Sequence, residues 1–264
     1  MYNNIIFFDI DGTLIDEKTH QIPDSTKKAL KMLKAKGNLS FINTGRPVSE
    51  ITKLIRDLNF DGYICGCGTY IEFKDKVLLY KSIGQVLSRE IADDIDYYKL
   101  DALLEGRYNI YFDKIEHITN EHILRIINQH KYEGFFTGST YHEDNIDFDK
   151  FVVFVNENSN FEGFYNKYKD RFDFINRGNN FYEIVPIGFS KASGIKYLIN
   201  YLNIDHKNTY AIGDSTNDLS MLQFCSNSIA MGNSTQSLFE HVSYITTNID
   251  DNGIYNALKH FNLI

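Results

Sequence analysis

Asn4-Ile5-Ile6-Phe7-Phe8 places apolar side chains on consecutive positions and stops abruptly at Asp9. A strand with one wet face alternates apolar and polar residues, whereas a strand covered on both faces does not, so this run points to a parallel sheet held between layers of helix. The pattern repeats. Pro23, Asp24 and Ser25 supply helix-start chemistry, Ala29, Leu30 and Leu33 share one helical face, and Gly37 is a stop. Leu39, Phe41 and Ile42 begin a second strand that runs out into Thr44-Gly45-Arg46, and Pro47 can start a helix with the apolar stripe Ile51, Leu54, Ile55 and Leu58. Tyr63 to Cys65 reads as a third strand.

The rhythm then changes. Tyr70–Phe73 and Val77–Tyr80 flank Lys74-Asp75-Lys76 as a hairpin. From about residue 80 to 186 the order is helix, strand, helix, strand, helix and a pair of strands, with strand candidates at Leu103–Phe112, Phe151–Val155, Phe172–Asn176 and Phe181–Val185. After Pro186 the alternation resumes: a helix over Lys191–Leu202, a strand over Thr209–Ile212, a helix after Asp214, short strands at Ser228–Met231 and Tyr244–Thr246, and a closing helix over Gly253–Phe261. The economical architecture is an α/β protein with a doubly wound, Rossmann-like parallel-sheet core formed by residues 1–79 and 187–264, interrupted by an inserted α+β domain at 80–186.

Charge narrows the partners. Lys and Arg number 27 against 35 Asp and Glu, a formal net charge of −8, which repels nucleic-acid phosphates unless a local basic patch overrides it. No apolar run approaches a membrane span, and the first strand starts too close to Met1 for a signal peptide to precede it. Cys65, Cys67 and Cys225 are odd in number and lack metal-ligand spacing, so buried, reduced thiols in a cytoplasmic compartment are expected. The expected partner is a small molecule, with neither nucleic acid nor membrane, and the chain is expected to be a monomer or a weak homo-oligomer. His117, His122, His130 and His142 are expected at the surface of the inserted domain, and Asp93, Asp94 and Asp96 on a solvated helix face.

Three core strands end in chemically useful loops: Asp9-Ile10-Asp11-Gly12-Thr13, Asn43-Thr44-Gly45-Arg46, and Gly213-Asp214-Ser215-Thr216-Asn217-Asp218. In an open parallel sheet the carboxyl ends of the strands form the ligand site, so loops distant in sequence can meet there. Asp9, Asp11 and Asp214 would then crowd together, which implies a cation, and an all-oxygen set without His or Cys suits Mg²⁺. Phosphate held through that ion also needs donors, which Thr44, backbone N–H groups near Asp11–Thr13 and Gly45, and one Lys can supply. On an extended segment Asp9 and Asp11 point the same way, so the first can attack phosphorus while the second protonates the leaving group. Gly12 suits the sharp turn or close ligand approach that follows.

These loops, together with Lys191, resemble the four motifs of the haloacid dehalogenase superfamily, and more narrowly its Cof-type phosphatases, the capped subclass IIB. The likeness extends to Glu183-Ile184-Val185-Pro186, to Ala230-Met231-Gly232-Asn233 and to the position of the insertion, and so covers essentially the entire length. It implies Asp9 as phosphoryl acceptor and Asp11 as acid and base, with Thr44 and Lys191 binding phosphate. It implies Mg²⁺ held by Asp9, the Asp11 carbonyl and Asp214, supported by Asp218, and Arg46 and Asn217 touching the phosphate or its substrate. Two departures stand out: Cys67-Gly68-Thr69 replaces the usual Asn-Gly-Ala, and Ala192 stands where Gly is usual. The resemblance implies a phosphoric monoester hydrolase acting on a small phosphorylated metabolite, a sugar phosphate or phosphorylated cofactor, through an aspartyl phosphate. A phosphotransferase or mutase, a phospho-receiver and a silent metabolite-binding protein are the alternatives.

Overall fold

Burial on consecutive positions marks the first strand, β1 (Ile5–Phe8), every residue of which is fully covered. The computed structural model describes residues 3–134 and 136–264, which divide into two compact units. The first contains Met1–Gly45, Lys53–Leu79 and Ser190–Ile264, and the second Arg46–Thr52 and Tyr80–Phe189.

In the first unit β1 is followed by α1 (Asp24–Ala35), β2 (Leu39–Asn43), the short α2 (Lys53–Arg56), β3 (Gly62–Cys65), β4 (Tyr70–Phe73) and β5 (Lys76–Tyr80). Lys74 and Asp75 both adopt positive φ, 48° and 62°, the conformation of a two-residue hairpin turn between β4 and β5. The second unit then supplies α3 (Gln85–Tyr97), β6 (Asp101–Glu105), β7 (Ile110–Tyr111), α4 (Glu121–Glu133), β8 (Lys150–Phe154), α5 (Phe161–Tyr168), β9 (Phe172–Asn176) and β10 (Phe181–Pro186). The chain returns to the first unit with α6 (Lys191–Leu202), β11 (Thr209–Gly213), α7 (Leu219–Phe224), β12 (Asn227–Ala230), β13 (Tyr244–Ile245) and α8 (Gly253–His260).

The first unit's sheet has the order β13-β12-β11-β1-β2-β3-β4-β5, parallel from β13 through β3 and antiparallel between β3 and β4. Ile5, Phe7 and Phe41 pack with Ile195 and Leu198 of α6 and with Met221 and Leu222 of α7. Ile6 and Phe8 project to the opposite face, where α1 lies against β2 and α8. This is the expected doubly wound α/β sheet, and its strand order reverses direction of growth at β1, between β11 and β2.

The second unit is an α+β layer built on the sheet β7-β6-β8-β10-β9, antiparallel at each pairing β7/β6, β6/β8, β8/β10 and β10/β9. Leu104, Phe151, Val153 and Ile184 face a core shared with α3 and α5, including Ile91, Ile95, Phe164 and Tyr168. Leu103, Val152 and Phe154 face Ile123 and Ile127 of α4 on the other side. Beyond these apolar positions, the same side carries a buried ionic cluster. The Lys150 ammonium pairs with Glu105 and lies 2.8 Å from Glu183, which also pairs with Arg177. Burial pushes the Glu105 carboxyl up to about 8 despite Lys150, whereas Glu183, equally buried, is driven well below the usual range by Lys150 and Arg177 together.

Four expectations require correction. The helix after Pro47 is broken: Val48–Glu50 form one 3₁₀ turn, Ile51 is extended, and only Lys53–Arg56 are α-helical. The Ser49 hydroxyl donates to the Gly106 carbonyl, and Glu50 lies 3.0 Å from His130, so tertiary bonds replace local helix and residues 46–52 belong to the second unit. The single strand expected over Leu103–Phe112 is two antiparallel strands, β6 and β7, because the chain turns back at Gly106, whose N–H donates to the Asn109 carbonyl. A Cβ at Gly106 would lie 2.6 Å from the Asp147 carbonyl oxygen. His130 is buried against Glu50, and Asp94 is half-buried under the Tyr168 hydroxyl and Lys167.

Cys65, Cys67 and Cys225 are buried, and burial raises the Cys225 pKa to about 12. Among the described residues no helix is long and apolar enough to cross a membrane.

Candidate active site

Strand register brings the polar loops to one edge. Phe8 of β1 pairs with Ile42 of β2 and with Ile212 of β11, all three strands running parallel, so the residues that follow them leave the sheet on the same side. Asp9 follows β1 directly and is tied to β11 by its N–H, which donates to the Ile212 carbonyl at 3.0 Å. Thr44 follows β2 and is buried, its N–H donating to Ile64 and its carbonyl accepting from Cys67. Asp214 follows β11.

Lys191 enters from the first turn of α6. That helix begins in a capping box in which Ser190 and Ser193 satisfy each other's backbone N–H groups, and this fixes where the lysine starts. Inward from the same turn, the Asn43 amide donates to the Lys191 carbonyl at 3.1 Å. The lysine is only 2% exposed, and its Nζ donates to Asp9 Oδ1 at 2.6 Å and Asp218 Oδ1 at 2.5 Å. Burial alone would lower its pKa, but the two carboxylates outweigh burial and raise it, so the ammonium is permanently charged.

The acidic side is crowded. Asp9, Asp214 and Asp218 each present a carboxylate oxygen within 4.8 Å of the others. Burial, Asp218 and Asp11 hold the Asp9 pKa well above its ordinary value although Lys191 opposes them. Burial and Asp218 push Asp214 up to about 7, against the Thr13 hydroxyl that donates to its Oδ1 at 3.0 Å. Fully ionised, three carboxylates against one ammonium would leave two negative charges in a buried pocket, a deficit that one divalent cation would neutralise and that protons share in its absence. The donors are hard oxygens, so the set fits Mg²⁺.

Asp218 plays a distinct part. Its Oδ1 is taken by Lys191, and its Oδ2 accepts the Asp214 and Ser215 N–H groups at 3.0 and 3.2 Å. Both oxygens are thus committed to holding Lys191 and the Asp214 backbone, while Asp9 and Asp214 remain to hold an ion. Two glycines make this approach feasible. A Cβ on Gly12, which sits at φ +74°, would be 2.3 Å from Asp214 Oδ2, and one on Gly213 would be 2.5 Å from Asp218 Oδ2.

The remaining expected residues divide. Asp11 is half-buried and acts on Asp9 through its charge, but its carboxylate lies outside the group close enough to share a cation. Asn217 accepts the Ser215 hydroxyl at 2.5 Å within its own loop. Gly45 ends the first segment of the first unit, and Arg46 belongs to the second unit, where it lines a cavity of about 140 Å³ with Glu50, Glu105, Gln129 and His130. Sequence reasoning missed Asn43 and the Thr13 side chain. Both stand inside the quoted motifs, but only the fold reveals that one anchors Lys191 and the other bonds Asp214.

The family model for haloacid dehalogenase-like hydrolases matches residues 6–258. The chain belongs to this family. Among curated proteins this haloacid dehalogenase-like hydrolase is 29% identical to the "Putative phosphatase YkrA" of Bacillus subtilis strain 168, over the full length of both chains. Among solved structures it is similar to the HAD subclass IIB sugar phosphatase BT4131, with TM-score 0.82 and 29% identity over 99% of this chain and 100% of that one. A second structure, from work on a trigonal-bipyramidal intermediate in a phosphoryl-transfer superfamily, gives TM-score 0.84 and 29% identity over the whole of both chains. The expected class, an enzyme hydrolysing phosphoric monoesters, agrees with the family and with these relatives.

Proposed function

We propose that this haloacid dehalogenase-like hydrolase is a Mg²⁺-dependent phosphatase of small phosphorylated metabolites, with sugar phosphates the first class to test. The observation that carries the reading is the buried Lys191 ammonium bridging Asp9 and Asp218, with Asp214 alongside at the carboxyl edge of a parallel sheet. A structural ion pair needs one acid per base, whereas this cluster leaves uncancelled negative charge and so favours a cation and the anion that the cation brings. The relative named a sugar phosphatase points to the substrate class.

Mg²⁺ held by Asp9 and Asp214 would screen the incoming phosphate from the carboxylates and stabilise its charge. The Asp9 carboxylate attacks phosphorus, forming an aspartyl phosphate, a mixed anhydride, while the bond from phosphorus to the leaving oxygen breaks. Asp11 gives its proton to that oxygen, so the product departs as an alcohol. Asp11, now ionised, takes a proton from water as the water attacks the aspartyl phosphate, releasing orthophosphate and restoring Asp9. Lys191 favours the ionised form of Asp9, in opposition to burial, and places positive charge where the phosphoryl oxygens gather. The Thr44 hydroxyl and Gly45 serve as phosphate donors, the Gly12 and Thr13 N–H groups expected to join them being committed to the Ile15 and Ile10 carbonyls, and Arg46 and Asn217 serve as substrate contacts. The first unit carries the chemistry.

A panel of phosphorylated metabolites assayed for orthophosphate release tests this reading. Mg²⁺-dependent turnover that EDTA stops and Asp9→Asn abolishes is expected. Phosphoryl transfer to a second metabolite without free phosphate would instead assign a phosphotransferase, and no turnover across the panel would refute both.

A further inference from the structure

Ala230-Met231-Gly232-Asn233 leaves β12 at the same edge of the sheet and takes no part in the chemistry above. Its bonds nevertheless run to both catalytic loops. The Met231 N–H donates to the Gly213 carbonyl at 3.0 Å, and the Thr235 N–H donates to the Asp214 carbonyl at 3.3 Å. The Asn233 amide donates through Nδ2 to the Gly12 carbonyl at 2.8 Å, while its Oδ1 accepts the Ile249 N–H at 2.9 Å. Asn233 also borders a cavity of about 280 Å³ with Gly12, Asp16, Glu17, Asp214 and Asp250.

We infer that Asn233 is a positioning residue for the reaction, holding the Asp11–Gly12–Thr13 turn so that Thr13 and the Asp11 backbone are set against Asp214 and its cation. This rests on the proposed metal-dependent phosphatase reading. Glycine lacks the side chain that restricts its backbone, so the peptide planes on either side of Gly12 rotate freely unless bonded. The Gly12 N–H is tied to the Ile15 carbonyl at 3.0 Å. On the other side Asn233 fixes the carbonyl, and the following Thr13 N–H reaches Ile10 only at 3.3 Å. Rotation of that plane would move the Thr13 hydroxyl off Asp214, and with it the carboxylate proposed to hold the ion. A carboxamide suits the position because it donates and accepts at once. Asn233 is otherwise exposed, so its truncation leaves no core cavity and the fold is expected to survive.

The test measures Mg²⁺ binding by calorimetry on the full chain without substrate, together with kcat and KM at saturating Mg²⁺. Asn233→Ala is expected to weaken Mg²⁺ binding about tenfold and to lower kcat by a similar factor, the usual effect of losing a group that orients a metal ligand, with KM within twofold. Asn233→Asp keeps the acceptor for Ile249 but loses the donor to Gly12, so at saturating Mg²⁺ its kcat should stay as low as that of Asn233→Ala. Wild-type binding and kcat in Asn233→Ala would overturn the inference. So would full recovery of kcat in Asn233→Asp, which would leave only a bracket on the 247–249 loop. A wild-type chain that takes up no Mg²⁺ would remove the metal reading itself, a result distinct from either variant outcome.

Discussion

Lys191→Met keeps most of the side chain's volume and removes its charge. At 2.6 Å from Asp9 and 2.5 Å from Asp218, each attraction is worth on the order of 6 kcal/mol at an effective dielectric of about 20. Desolvation of the ammonium and repulsion between the acids offset much of that sum. Breaking a buried ionic pair by removing one partner typically costs about 3–5 kcal/mol, and that range is expected here. Asp9 and Asp218, already crowded with Asp214, would then bind protons or a cation more tightly. Urea unfolding of the metal-free protein should therefore show a loss of about 3–5 kcal/mol, and Lys191→Met/Asp218→Asn should recover part of it. Activity should fall on the order of 10²-fold or more in both, because the positive charge proposed to face the phosphoryl oxygens is gone. Stability within 1 kcal/mol of wild type, or activity restored by the second substitution, would refute the role given to this lysine.

Other consequences follow from the same geometry. Asp214, raised to about 7 from an ordinary 3.8, binds its proton more tightly folded than unfolded, so the metal-free protein should lose stability as pH rises through that window. Mg²⁺ displaces the proton, and its stabilising effect in thermal melts should therefore grow from pH 5 to 8; a pH-independent effect would contradict this. Gly12→Ala, whose Cβ would strike Asp214, should reduce Mg²⁺ affinity and kcat at least about tenfold. Gly37→Ala, at φ +77° with nothing within 4 Å, should cost about 1–2 kcal/mol and leave both unchanged. In the second unit, Lys150→Met strands the Glu105 carboxylate and should cost about 3–5 kcal/mol, with partial recovery in Lys150→Met/Glu105→Gln by denaturant titration.

The core was legible because its strands are buried on both faces. Ile5–Phe8 cannot be placed any other way, and Lys191–Leu202 carries both its capping serine and its apolar stripe in sequence. Asp9, Asp214 and Asp218 were legible because each follows a strand end or opens a helix in a fixed order. What stayed hidden depends on long-range bonds. The helical period after Pro47 is real, but Ser49 and Glu50 bond to Gly106 and His130, about 57 and 80 positions along the chain, and pull the segment out of helix. The strand over 103–112 hid a reversal because Gly106 and Asn109, which close it, are separated by Arg107 and Tyr108, neither of which signals a turn. Nothing local in the sequence marks Lys150 for burial; β6 and β10 bring two glutamates to it.

Central to the account is a phosphoryl group carried by Asp9. Enzyme mixed with excess substrate and Mg²⁺, quenched in acid and reduced with borohydride, reports this directly, because an acyl phosphate is reduced to an alcohol and peptide mass spectrometry locates the change. Homoserine at position 9, absent without substrate and absent in Asp9→Asn, is the expected result. Rapid turnover with an unmodified Asp9 and the phosphoryl group trapped on another side chain would contradict it.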